Sequence, residues 1–157
     1  ILFGDGATVT WLSTKYPLYH IGNTLFATDG TGHKAIMVDE IENKLHMNGR
    51  AVFMFTMKTV PGQISKCLRN NKLNFSVVDY FLLHQGSKFI VDNMIESIGL
   101  PPEKTPFMAT KYGNTLSSSI PMMLELILRK DVNTVLISGF GVGLSWATSM
   151  IFKNPNQ

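Results

Sequence analysis

Apolar positions along the 157-residue chain follow two rhythms, one helical and one continuous. From 50 to 70 the spacing is helical, and Val52, Phe53, Thr56, Val60, Ile64, Cys67 and Leu68 line one face. Pro61-Gly62 falls inside this helix. Proline lacks a backbone donor and crowds the preceding turn, so a kink or break is expected there. Residues 76–83 read as a buried strand ending at His84. Phe89, Ile90, Val91, Met94, Ile95 and Ile98 then mark a helix, closed by Gly99 and followed by Pro101-Pro102. Residues 107–110 read as a short strand leading to Gly113-Asn114. A second long helix is expected over 114–129, with Ile120, Met123, Leu124, Ile127 and Leu128 inward and Pro121 in its first turn. Residues 132–138 and 144–152 are apolar strands joined through Gly139-Phe140-Gly141-Val142-Gly143.

Upstream the pattern is weaker. Gly4-Asp5-Gly6-Ala7 reads as a turn, and residues 8–12 alternate like a strand. Residues 13–48 mix turn residues with short β-rich runs such as 24–28, which suggests a long excursion covering a site. From about residue 45 the expected order is β-α-β-α-β-α-β-β. Such a unit is an α/β fold with a mixed, mainly parallel sheet and helices packed on it. The chain opens at Ile1-Leu2-Phe3, as if inside a strand, so it is expected to be a piece of a longer protein. The polar tail over 153–157 reads as a C-terminus.

Composition narrows the class. Hydrophobic residues make up 45% and charged residues 16%, the balance of a globular domain rather than a disordered one. Every long apolar run is broken by Gly, Ser or charge, so no membrane span is expected. The net charge of +3 comes without a basic block interleaved with aromatics, which argues against nucleic acid. Cys67 is the single cysteine, so no internal disulfide forms, and with no secretory leader at the start a cytoplasmic location is expected. Cys67 lies on the apolar face near the helix's C-terminal end, where a thiolate gains no help from the helix dipole. It is expected to be structural.

Candidate chemistry sits at two strand ends. His84 closes Asp79-Tyr80-Phe81-Leu82-Leu83-His84, and Asn114 follows Lys111-Tyr112-Gly113. Open α/β sheets keep ligands where strands give way to helices. Two neutral donors facing one point suit a developing negative charge. Against this, a strand-end histidine is often a hydrogen-bonded structural residue, and Asn114 before serines suits a helix cap. His20, His33 and His46 are too widely spaced, and too far from acidic partners, for a metal site. Gly139–Gly143 is not a dinucleotide fingerprint, because Leu144 replaces the last glycine and a strand follows.

Several pieces stand in a telling order: Phe3-Gly4-Asp5-Gly6-Ala7; residues 46–55, His-Met-Asn-Gly-Arg-Ala-Val-Phe-Met-Phe; His84-Gln85; Tyr112-Gly113-Asn114-Thr115 before serines and Ile120-Pro121; and residues 139–146, ending Leu144-Ser145-Trp146. Together they resemble the C-terminal half of the ketoacyl-acyl-carrier-protein synthase III family, whose members have the thiolase fold. The resemblance implies that residues 1–44 finish the N-terminal half and add a covering excursion, and that 45–157 form the C-terminal domain. It implies decarboxylative condensation of an acyl thioester with a malonyl thioester, in fatty-acid or related lipid synthesis. His84 and Asn114 would stabilise the enolate oxygen. Gly141, Val142 and Gly143 would lie near a second oxyanion site beside a nucleophilic cysteine carried by the absent half. Acyl-carrier protein or coenzyme A thioesters would be the substrates, no cofactor would be needed, and two copies would pair.

Two positions depart from the family pattern. Ser87 stands in place of an asparagine associated with the thioester carrier, and Phe89 in place of a basic residue associated with carrier-protein docking. Lys88 offers charge from the neighbouring position. Transfer of an acyl group to an oxygen, nitrogen or small-molecule carbon acceptor therefore stays open beside condensation, as does a non-catalytic binding half.

Overall fold

The chain orders as β1 (Tyr19–Thr28), β2 (Ile36–Asp39), β3 (Lys44–Met47), α1 (Gly49–Asn70), β4 (Tyr80–Leu83), α2 (Lys88–Ile98), α3 (Ala109–Tyr112), α4 (Ser119–Leu128), β5 (Thr134–Gly141) and β6 (Ser145–Lys153). This is a computed structural model that describes residues 2–39, 41–128 and 130–155. The expected helix end at Arg129 and the tail residues Asn156 and Gln157 lie outside the described residues.

One four-stranded sheet runs β1-β6-β5-β4. The α/β class stands, but the parallel share is smaller than the sequence suggested: β4 pairs parallel with β5, while β5–β6 and β1–β6 are antiparallel. The expected strand at 107–110 does not form, and its place is taken by an irregular stretch and α3. The backbone of Met108 is claimed by the Gln85 side chain at 2.7 Å rather than by a neighbouring strand. The strand expected over 76–83 narrows to Tyr80–Leu83, with a 3₁₀ turn at Phe75–Val77 before it. β1 comes from the stretch that seemed a covering excursion. It lies in the same sheet as β4, β5 and β6, pairing antiparallel with β6. β2 and β3 form a separate hairpin.

Alternation within the central strands gives the core two sides. Phe81, Leu83, Leu136 and Met150 point to one side, where Val60, Ile64 and Leu68 of α1 and Val91 and Met94 of α2 cover them. Leu82, Val135 and Ile151 point to the other, against Met123 and Ile127 of α4. Strands covered on both faces read as unbroken apolar runs, which is why periodicity located them.

The helix α1 continues through Pro61 as one element, so of the kink or break expected there no break forms. Its buried face, Thr56, Val60, Ile64, Cys67 and Leu68, holds the helix against the sheet on both sides of the proline. Burying such side chains is worth about 1.5–3 kcal/mol each, enough to offset the ~3 kcal/mol typical of an interior proline. The Asn48 side chain accepts from Ala51 N–H at 3.0 Å to start this helix, and Gly99, at φ 74°, ends α2 in the left-handed conformation that glycine adopts freely.

The alternating stretch 8–12 forms no strand, and Val9, Trp11 and Leu12 are 98%, 89% and 75% exposed. A strand needs a partner, and among the described residues only Phe3 of this opening segment pairs, in a parallel bridge to Asn114. The helix expected over 114–129 resolves into a 3₁₀ turn at Leu116–Ser118 and then α4. Pro121 does fall in the first turn of α4.

Candidate active site

His84 is the first residue beyond β4, and its backbone N–H donates to Ser138 O at 2.9 Å, extending the β4–β5 ladder by one rung. This fixes the side chain where the sheet ends. The ring meets Phe140 edge-on, with centroids 5.3 Å apart and planes at 86°. Its Nδ1 lies 3.4 Å from Ser119 Oγ. Burial pushes the imidazole's pKa down to about 4, so the ring is neutral near neutral pH.

Asn114 follows α3 and is buried. Its backbone N–H donates to Leu2 O at 2.9 Å, and its carbonyl accepts from Gly4 N–H at 3.1 Å. This close approach explains two glycines. A Cβ on Gly113, whose φ is 71°, would lie 2.8 Å from Gly4 N, and one on Gly4 would collide with the Tyr112 carbonyl. The Asn114 Oδ1 accepts from Leu116 N–H at 3.0 Å, which orients the amide. Its oxygen is thus committed to the backbone and its NH₂ remains as a donor.

Both residues line one cavity of about 1410 Å³. The wall is mainly apolar, with Phe26, Phe53, Phe89 and Trp146 contributing rings, and Arg50 adds a cation. Phe53 and Phe89 stack obliquely with centroids 5.1 Å apart. Ser87, Gly141 and Val142 also line it. Lys88 and Gly143 do not. Lys88 turns to Asp92 on its own helix at 2.7 Å. Gly143 shapes the β5–β6 turn at φ 139°, where a Cβ would lie 2.8 Å from Ser145 N. Ser87 has a structural role as well, since its Oγ accepts from Ile90 N–H at 3.2 Å and caps α2.

The structure gives roles to three residues to which the sequence alone assigned none. Phe140 packs on the His84 ring. Ser119 touches His84 from the first turn of α4. Gln85, almost fully buried, donates to Leu83 O at 2.8 Å and accepts from Met108 N–H at 2.7 Å. Phe140 alone gave a signal, an aromatic between two glycines at a strand end. Cys67 lies in the core as expected, its thiol pushed up by burial. Among the described residues no three His, Cys, Asp or Glu side chains gather as a metal site would require, and no helix is long and apolar enough to cross a membrane.

The family profile described as 3-oxoacyl-[acyl-carrier-protein (ACP)] synthase III C terminal matches residues 68–153. The chain belongs to this family. It is 32% identical over 155 residues to the β-ketoacyl-[acyl-carrier-protein] synthase III of Staphylococcus aureus, covering 96% of this chain and 50% of that protein. The crystal structure of β-ketoacyl-[acyl carrier protein] synthase III from Thermus thermophilus matches with a TM-score of 0.81 at 28% identity, covering 87% of this chain and 47% of that one. The 3-oxoacyl-[acyl-carrier-protein] synthase III from Aquifex aeolicus matches in fold, with a TM-score of 0.82 at 22% identity, over 89% of this chain and 46% of that one. The chain thus spans about half the length of the relatives it matches.

Proposed function

We propose that this chain is the C-terminal half of a 3-oxoacyl-[acyl-carrier-protein] synthase III-like enzyme that condenses an acyl thioester with a malonyl thioester. One observation carries the reading: neutral His84 and Asn114, its amide oxygen tied to Leu116, line the same cavity. When the malonyl thioester loses carbon dioxide, the breaking C–C bond leaves its electron pair as an enolate, with charge on the thioester oxygen. A ring N–H of His84 and the Asn114 NH₂ stabilise that oxygen. The enolate carbon then attacks the acyl carbonyl, and the sulfur that carried the acyl group departs. A neutral histidine suits this role, because an imidazolium would protonate the carbanion.

The acyl-carrying cysteine comes in this reading from a preceding half, because Cys67 is buried in the core. The Gly141–Val142 segment lines the same cavity, and in this reading the loop lies near a second oxyanion site formed with the preceding half's cysteine. Substrates are coenzyme A or acyl-carrier-protein thioesters, the reaction requires no resident cofactor, two copies pair, and the enzyme works in the cytoplasm. The aromatic pair Phe53–Phe89 at the cavity wall, with Lys88 turned to Asp92, favours a second reading in which the acceptor is a small molecule rather than a basic-docked carrier protein.

The test uses the chain joined to a half that supplies the nucleophile. His84→Ala should leave acyl loading within about tenfold and lower malonyl decarboxylation by about a hundredfold or more, the scale of one lost oxyanion donor. Equal loss in both steps would point to a general base instead.

A further inference from the structure

Ser119 is buried at the start of α4, and its single hydroxyl proton has two neighbours to choose between. The Oγ donates to Leu116 O at 2.9 Å, where the carbonyl can only accept. The same Oγ lies 3.4 Å from His84 Nδ1. With its proton committed to Leu116 O, the serine offers Nδ1 a lone pair. A lone pair is satisfied only by an N–H. The neutral ring, having one proton, then carries it on Nδ1 and leaves Nε2 bare.

We propose that Ser119 is a positioning residue that selects the tautomer of His84. In the resting arrangement the ring is protonated at Nδ1, and Nε2 faces the cavity as an acceptor. Turning the serine hydroxyl from Leu116 O to Nδ1 reverses this: solvent gives one proton to Nε2 and takes one from Nδ1, and Nδ1 then accepts from the serine. The ring is neutral before and after, with no net gain or loss of protons. Phe140, edge-on to the ring, keeps the imidazole plane fixed while the proton changes sides. Each tautomer has a use. Bare Nε2 accepts a hydrogen bond before substrate binds, and the Nε2–H form donates to an oxyanion. This deepens the enolate-binding reading and rests on it for its consequence, though the tautomer itself is measurable without any reaction.

The experiment is nitrogen-15 NMR of the protein labelled at histidine, near neutral pH, with His84 assigned by the signal lost in His84→Gln. The native protein should show a protonated-type shift at Nδ1 and a bare-type shift at Nε2. Ser119→Ala should move the proton to Nε2, the form neutral histidine ordinarily prefers, and Ser119→Thr should restore the native pattern. A native ring protonated at Nε2, or a tautomer unchanged by Ser119→Ala, overturns the proposal. If Ser119→Ala does not fold, the native spectrum and that of Ser119→Thr still decide. A tautomer that follows Ser119 in a protein unable to decarboxylate malonyl thioesters would uphold this inference and sink the condensation reading. A tautomer indifferent to Ser119 in a decarboxylating enzyme would do the reverse.

Discussion

Gln85 Oε1 accepts the backbone N–H of Met108 at 2.7 Å, joining the segment that ends β4 to the one that leads to Asn114. The other end of the same amide donates to Leu83 O at 2.8 Å and approaches Pro106 O at 3.4 Å. His84 lies between two of these anchors in sequence, and Asn114 lies six residues beyond the third. Gln85→Leu keeps the volume but removes every partner. The orphaned backbone groups should cost about 1–3 kcal/mol, read as a lower urea midpoint with an unchanged slope. If the segments also lose their register, malonyl decarboxylation should fall further than acyl loading. A variant as stable as the native protein would show that water replaces the amide at no cost.

Asn114→Asp isolates the donor. The aspartate Oδ1 can still accept from Leu116 N–H, as the asparagine does at 3.0 Å. The NH₂ becomes a second oxygen, and a carboxylate beside an enolate repels it. Decarboxylation should drop at least as far as in Asn114→Ala, by about a hundredfold or more, while thermal stability stays nearer to native than in the alanine variant. Both effects are read from the same two proteins. An aspartate variant more active than the alanine variant would remove the oxyanion role from Asn114 and leave it as a cap.

Cys67 should stay unmodified by acyl-coenzyme A. It is fully buried among Ile64, Leu68 and Met150, its Sγ lies 3.5 Å from Asn23 O and Thr148 O, and burial raises the thiol's pKa, so little thiolate is present. Intact-mass spectrometry of the chain after incubation checks this. A stoichiometric acyl adduct would show that the fold opens to expose the residue, and would undo the assignment of the nucleophile to another half.

Legibility followed burial. The strands Tyr80–Leu83, Thr134–Gly141 and Ser145–Lys153 were readable because helices cover the sheet on both faces, so their residues are mostly apolar, with Ser138, Thr148 and Ser149 as buried polar exceptions. His84 was readable as a polar residue where such a run ends, whereas Asn114 was singled out after an expected strand whose place a short helix takes. β1 was harder because, among the described residues, it pairs on one edge alone and its burial is broken, with Ile21 and Phe26 exposed. Residues 107–110 misled because Phe107 and Met108 pack inward from an irregular backbone, giving strand-like composition without strand hydrogen bonds. Pro61 causes no break because local propensity is outweighed by the packing of residues on both sides of it. Gln85 was legible only as part of a motif and Ser119 not at all as a partner of His84, since a hydroxyl touching a ring 35 residues away is set by tertiary geometry alone.

Acid should destabilise the protein through His84. Its folded pKa, about 4, lies below the ordinary value of 6.5, so the unfolded chain binds the proton more tightly. Stability linked to this ring is fully present above about pH 6.5, falls as pH drops toward 4, and changes no further once both states are protonated. The gap between the two values corresponds to roughly 3 kcal/mol, an upper figure because the cavity beside the ring admits water. His84→Gln has no proton to bind, so its urea stability should lose about 2–3 kcal/mol less than the native protein's between neutral pH and about 4.5. The carboxylates contribute in the same direction to both proteins: Asp79, for example, holds Asn133 and Thr134 N–H and has a lowered pKa of its own. The comparison of variant with native cancels that shared contribution and leaves the histidine. Parallel pH profiles for the two proteins would mean that the His84 ring titrates near its ordinary value. At mildly acidic pH it would then be an imidazolium, poorly suited to stand beside a carbanion.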